Sequence, residues 1–188
     1  MLDQPIALDT RSRVLDAAER IVQARGVPAL TLEAAAREAG VSKGGLLYHF
    51  ASKEALLAAL MQRLAEFIQF SFDATRNAVP EGPGRTARAC LAWQFDSPGP
   101  HDEHTDRASA IFLAAHHHDT ALLAPVREVF ARIRLAAESE DLPPGRGLAV
   151  MAACDGLFMA HMFRMWQPDA AQAAQLRAVL AALLEGAA

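Results

Sequence analysis

Residues 31–57 read TLEAAAREAGVSKGGLLYHFASKEALL, and the order of caps in this stretch decides the architecture. Thr31 is an N-cap residue with Glu33 in the following turn, where the positive end of a helix dipole favours an acid. Gly40 predicts the end of that helix, because a left-handed terminal residue costs least as glycine. Ser42 then caps a second helix and Ser52 a third. Two short helices joined by a tight turn, with a third entered at once, form a helix-turn-helix layout.

The chemistry of the second helix fits the use to which such a layout puts it, entry into a DNA major groove. Ser42, Lys43, Tyr48, His49 and Lys53 donate hydrogen bonds or carry positive charge, and no acid lies between Ala39 and Lys53. Gly44 and Gly45 remove side chains at the helix start, which lets backbone approach a phosphate closely. Two adjacent glycines weaken a helix, so they call for a reason. Val41, Leu46, Leu47 and Phe50 are apolar and are expected on the inner face.

With these residues in hand, Thr10 to Leu57 resembles the DNA-binding domain of the tetracycline-repressor (TetR) family of bacterial regulators. The opening TRSRVLDAAERIVQARGVPALTL is similar to that family's first helix and its link to the second, and AGVSKGGLLYHFASKEALL to its turn, recognition helix and entry to helix four. The resemblance implies an all-α chain of about nine helices. An N-terminal three-helix domain would bind double-stranded operator DNA, and a C-terminal helical domain would bind a small-molecule effector and dimerise. It implies no cofactor. Lys43, Tyr48 and His49 would reach bases or nearby phosphates, with Gly44 and Gly45 admitting the backbone. Arg11, Thr31, Ser42 and Lys53 would fix the register on the phosphates. The family usually has Thr or a similar residue where this chain has Gly45. It usually has Tyr where this chain has Leu47, and here the Tyr comes one place later, at Tyr48. Gly45 has no side chain to offer a base, so specificity shifts toward Lys43, Tyr48 and His49.

The chain has 188 residues and 52% hydrophobic content. That is enough for a DNA-reading domain over 1–53 and a larger partner domain over 54–188. The net charge of −4 is unevenly divided: residues 1–53 hold seven Lys and Arg against six Asp and Glu, residues 54–188 eleven against sixteen. The chain is not a general polycation, so its DNA affinity is expected to come from a small local footprint doubled by dimerisation. Cys90 and Cys154, far apart in sequence, read as small core residues or, less simply, as a redox sensor. No leader-like segment or membrane-length apolar run is found, which points to the cytoplasm and away from a membrane partner.

Helical spacing predicts a first helix over 10–25 and a fourth from Ser52 to about Asn77, with Leu56, Leu57, Leu60, Leu64, Phe67, Ile68 and Phe70 on its apolar face. Further helices are expected over 85–95, 106–117 and 125–139. The last two span about 146–166 and, opened by Pro168, 168–185. Both are more apolar than one buried face requires. The expectation is a two-fold four-helix dimer interface, against the alternative of a larger monomeric core.

Phe67, Phe70, Trp93, Phe112, His116, Phe130, Met151, Phe158 and Met162, with Trp166, are candidate walls of an effector pocket. Flexible methionines and aromatic rings suit a hydrophobic or aromatic, even cationic, small molecule. Each taken singly is also a plain core residue. Asp155 lies in the apolar run ACDGLFMAH, where a carboxylate is costly without a partner. It either binds a cationic ligand, pairs with Arg164 or Arg127, or makes a polar contact across the dimer. The histidines supply a rival signal. His101, His104, His116, His117, His118 and His161 admit a second reading, a metal-dependent enzyme on a helical bundle with Asp155 or Glu103 as base. That reading leaves residues 31–57 without a purpose. The expectation is therefore a non-enzymatic regulator without bound metal, most simply a repressor released from a palindromic operator.

Overall fold

Capping chemistry sets most helix boundaries in the computed structural model, which describes residues 9–96 and 119–185. Ser12 N–H donates to Asp9 Oδ1 at 2.6 Å and starts α1 (Thr10–Arg25). A short 3-10 turn, Val27–Ala29, leads to α2 (Leu32–Ala39), whose N-cap Thr31 Oγ1 accepts from Ala34 N–H at 3.0 Å. Gly40 closes α2 at φ 64, the left-handed region that glycine enters without strain. Next comes α3 (Lys43–His49), capped by Ser42 Oγ accepting from Gly45 N–H at 3.0 Å. Then α4 (Lys53–Ala78) opens with Ser52 Oγ accepting from Ala55 N–H at 3.1 Å.

Beyond α4 lie α5 (Arg85–Phe95), a 3-10 turn Thr120–Leu123, α6 (Ala124–Ser139), α7 (Arg146–Met162) and α8 (Ala170–Leu184). Among the described residues every regular element is helical. The helix expected over 106–117 lies outside the described residues, as do Phe112 and His116.

Two compact units separate. Among the described residues the first holds 9–64 with 119–125, and the second 65–96 with 126–185. The helix α4 contributes residues to both.

The first unit packs Val14, Leu15, Ala17, Ala18 and Ile21 of α1 with Ala35 and Ala36 of α2, Leu46 of α3, and Leu56, Leu57, Leu60 and Met61 of α4. Alanine on α2 brings its backbone close to its neighbours. Polar clamps join the helices at the rim. Arg13 Nη2 donates to Ala39 O at 2.8 Å and Gly40 O at 3.2 Å, occupying carbonyls that the end of α2 leaves free. Lys53 Nζ donates to Val27 O at 2.8 Å. Arg63 bridges Asp16, at 2.5 Å, and Glu19, tying α4 to α1.

In the second unit the N-terminus of α5 is held by a carboxylate. Thr86 N–H lies 2.6 and 2.8 Å from the two oxygens of Glu140, and Arg76 Nε donates to the buried Thr86 Oγ1 at 3.1 Å. Gly84 precedes α5 at φ 64, and a Cβ there would stand 2.6 Å from Leu142 Cδ1. Both its conformation and its neighbour require glycine. Val150, Met151 and Cys154 of α7 are buried, as are Ala87, Cys90 and Leu91 of α5.

Four boundary and packing expectations change. Leu47 is not on the inner face; it is 41% exposed, while Leu46 and Phe50, one turn apart, are buried. On α4, Phe67 and Phe70 are also exposed, and Phe72 takes the buried place. The helix expected to reach Trp166 stops at Met162, because Arg164 turns left-handed at φ 52 and Met165 N–H folds back to Ala160 O at 2.9 Å. Pro168 does not open the last helix. Asp169 and Gln172 form a reciprocal capping box that starts α8 at Ala170, one residue after the cap.

Candidate nucleic-acid interface

Within the first unit, α3 has one fully buried side chain, Leu46, and the C-cap Phe50 buries the next turn. All of its other side chains are wholly or partly accessible. Lys43, Gly44, Leu47, Tyr48 and His49 face solvent, and Tyr48 is 87% exposed. The Tyr48 and His49 rings meet edge to face at 5.1 Å. Arg11 of α1 places its guanidinium 5.7 Å from the centre of the Phe50 ring, which sets that charge beside the end of α3.

The caps leave useful chemistry unspent. Thr31 and Ser42 each accept a helix N–H through the hydroxyl oxygen, so each keeps its own O–H to donate to a phosphate oxygen. Lys53 uses one donor on Val27 O and retains two more. Its position is therefore fixed by the fold as well as available to a backbone. Lys43 Nζ lies 2.5 Å from Glu33 Oε1, a pairing that no local sequence rule indicates.

The two glycines of α3 differ. A Cβ at Gly45 would lie 3.2 Å from the capping Ser42 Oγ, so a side chain there would press on the cap. A Cβ at Gly44 would meet nothing within 4 Å. The fold itself gives no reason for glycine at 44, although glycine weakens a helix relative to alanine. The open space above Gly44 fits close approach by something outside the chain.

The residues nominated for an effector do not all come together. Phe70 of α4 is 75% exposed, and Phe67 is exposed too. Trp93 is half-buried, donates through Nε1 to Ser71 Oγ at 3.0 Å and meets Phe72 edge to face at 5.7 Å. Met151 and Met162 are buried, and Phe130 and Phe158 are half-buried. Phe72, which the sequence reading passed over, is thus the ring that supports Trp93. Asp155 is half-buried on α7, and loss of solvation pushes its carboxyl above the ordinary aspartate range. A separate groove of about 400 Å³ is lined by Glu81, Gly82, Pro83, Arg88, Asp141, Leu142, Pro143 and Leu184, none of them a nominated residue.

Burial, reinforced by the neighbouring thiol and acids, pushes the Cys90 thiol up to about 12, and burial followed by Asp155 does the same for Cys154. Both stay protonated at neutral pH, which suits core packing rather than thiolate chemistry. Among the described residues no three His, Cys, Asp or Glu side chains are grouped to hold a metal ion. His101, His104, His117 and His118 lie outside the described residues. No described helix is long and apolar enough to cross a membrane.

Residues 14–60 match the profile described as bacterial regulatory proteins, tetR family. Residues 84–185 match a tetracyclin repressor-like C-terminal domain. Among curated relatives, an uncharacterized HTH-type transcriptional regulator, TtgW of Pseudomonas putida, is 38% identical over 66 residues, 35% of this chain and 49% of that protein. The HTH-type transcriptional regulator EthR of Mycolicibacterium smegmatis is 28% identical over 98 residues, 52% of this chain and 45% of that one. The chain thus matches about half the length of these relatives. Among solved structures, a TetR-family member from Streptomyces coelicolor is 25% identical with a TM-score of 0.66, covering 94% of this chain and 99% of that one. The multidrug binding protein EbrR complexed with ethidium is also 25% identical, with a TM-score of 0.62 over 94% of this chain and 99% of that one. One profile covers the helix-turn-helix and the other more than half of the whole chain, and on that ground the protein belongs to the TetR family of bacterial regulators.

Proposed function

We propose that this chain is a ligand-responsive transcriptional regulator, most simply a repressor, that binds a near-palindromic operator as a homodimer. The observation that carries the reading is the outward face of α3: Lys43, Gly44, Tyr48 and His49 are exposed, acid-free in sequence and held on a helix anchored through Leu46. Lys43, Tyr48 and His49 read base edges or adjacent phosphates. Arg11, Thr31, Ser42 and Lys53 fix the backbone register. In this division of labour residues 1–53 read DNA and 54–188 bind effector and partner. Such a protein works where its operator is, in the bacterial cytoplasm.

The surface of the second unit supports dimerisation through α7 and α8. Ala149, Ala152, Gly156, Met159 and Phe163 are all exposed, and their spacing of three and four residues places them on one helical stripe. On α8, Ala171, Ala174, Ala178, Val179, Ala182 and Leu183 are exposed as well. Small and apolar side chains on two adjacent helices are what a two-fold four-helix contact would cover. The rival reading, a metal-dependent enzyme, finds no support in either family match and gives α3 nothing to do.

The effector we propose is a small hydrophobic or aromatic molecule, and Asp155 favours one that carries positive charge. A half-buried carboxylate in an apolar helix is costly alone and is relieved by a cation. EbrR, whose complex with ethidium is known, shows that the same architecture takes an aromatic cation. Effector binding would shift α4, which has residues in both compact units, and favour a spacing of the two α3 helices that no longer fits the operator.

Three outcomes test these assignments. Selection of bound duplexes from a random pool by the purified protein is expected to enrich an inverted repeat held by two chains. Absence of enrichment at low salt with folded protein removes the regulator reading. Gly44→Ala is expected to raise the thermal midpoint, since alanine favours helix by up to about 1 kcal/mol, yet weaken binding to the enriched duplex by roughly tenfold. Equal or tighter binding would show that nothing approaches that backbone. For the effector site, ethidium fluorescence on DNA-free protein is the readout. Burial raises the Asp155 pKa in the free chain, and a bound cation lowers it again. Ethidium affinity should therefore rise with pH through the Asp155 titration and then level off. Asp155→Asn should flatten that profile and bind more weakly. The same substitution should stabilise the ligand-free chain more at neutral pH than in acid, because the raised pKa makes the native carboxylate increasingly unfavourable as pH rises. An unchanged pH profile in the variant would remove Asp155 from the site.

A further inference from the structure

We propose that Glu33 is a specificity-determining residue: by holding Lys43 in an ion pair between α2 and α3, it withholds that cation from arbitrary DNA phosphates and releases or shares it only where a matching base edge is present. The proposal rests on the reading of α3 as the DNA-contacting helix.

The geometry puts the two charges in unequal positions. Glu33 stands in the first turn of α2, where the positive end of the helix dipole stabilises an acid. Lys43 is the first residue of α3, where the same field disfavours a cation. The Glu33 carboxylate, 2.5 Å from Lys43 Nζ, offsets that mismatch. The lysine in turn holds the Glu33 carboxyl below its ordinary range. Both side chains remain largely exposed, 59% for Lys43 and 61% for Glu33. The pair is therefore at the surface that would face a duplex, not sealed beneath it, and an exposed pair of this kind exchanges partners at small cost.

Non-specific DNA binding comes from cations that displace condensed counterions on phosphates. A Lys43 already paired with Glu33 contributes little to that term. Major-groove recognition changes the balance. A lysine ammonium carries three donors and guanine presents two adjacent acceptors, N7 and O6. Lys43 can keep one donor on Glu33 while giving others to the base. The cost of drawing Lys43 away from Glu33 is thus met at any phosphate, and it is avoided only on duplexes with the right edge. Another cation of this domain is also held by an acid of α2: Arg20 of α1 lies 3.2 Å from Glu38 of α2.

The test compares full-length wild type, Glu33→Gln, Lys43→Gln and the double variant. Fluorescence anisotropy follows binding to a short duplex carrying the enriched inverted repeat and to a shuffled duplex, over a series of salt concentrations. Glu33→Gln is expected to bind the shuffled duplex roughly three- to tenfold more tightly and to steepen its logarithmic salt slope by about one per chain. Affinity for the inverted repeat should change less, so discrimination falls. In the Lys43→Gln background the same substitution should have little effect. An equal gain on both duplexes overturns the proposal, and so does a gain that persists without Lys43, since either marks a general change of charge. Failure of the wild type to prefer any duplex overturns the parent reading as well, and is told apart by requiring no variant.

Discussion

A helix of seven residues does not hold together in water on its own, and α3 is such a helix. Everything else in the first unit bears on that constraint. Its first turn is closed by the Ser42 hydroxyl, its inner side is fixed by Leu46 with no exposed surface, and Phe50 seals its end. Arg13 reaches across from α1 to secure the turn before it, and Lys53 secures the loop before α2. Because so few side chains anchor α3, the others are left free to face outward. The economy of the anchoring is what leaves an outward face on so short a segment.

Function of the kind proposed needs this small unit to respond to the rest of the chain, and α4 is the element with residues in both units. Its first half is buried through Leu56, Leu57, Leu60 and Met61, and Arg63 adds charged contacts to Asp16 and Glu19 of α1. Apolar burial alone lets helices slide, whereas an arginine fork on two carboxylates fixes register. A displacement of this half of α4 would therefore carry α1 with it. The acidic surplus beyond residue 53 makes the larger part of the chain unattractive to DNA, which fits the proposal that binding is confined to the face that α3 presents.

The parts of the fold legible in the sequence were those written in local chemistry. Thr31, Gly40, Ser42 and Ser52 cap where their residue types require, because capping depends only on neighbours within one turn. Leu47 was misplaced because α3 makes barely two turns and gives periodicity too little length to tell 46 from 47. On α4, the run containing Phe67, Phe70 and Phe72 is apolar on more than one side, so composition could not say which ring is covered. Contacts between distant residues were not legible at all. Nothing local pairs Arg63 with Asp16, Glu140 with Thr86, or Lys43 with Glu33. Most of the candidates for DNA contact lie on α3 and its N-cap, so one short exposed helix brings them together. The effector candidates are scattered over several helices, and no sequence rule brings those together.

The most direct measurement of the central claim, that paired α3 helices enter the major groove, is methylation interference on the enriched duplex. Methyl groups on guanine N7 project into the major groove, and those on adenine N3 into the minor groove. The account predicts two symmetric patches at which N7 methylation blocks binding, one in each half of the repeat, with N3 methylation between them tolerated. Interference confined to N3, or a single N7 patch, would contradict it.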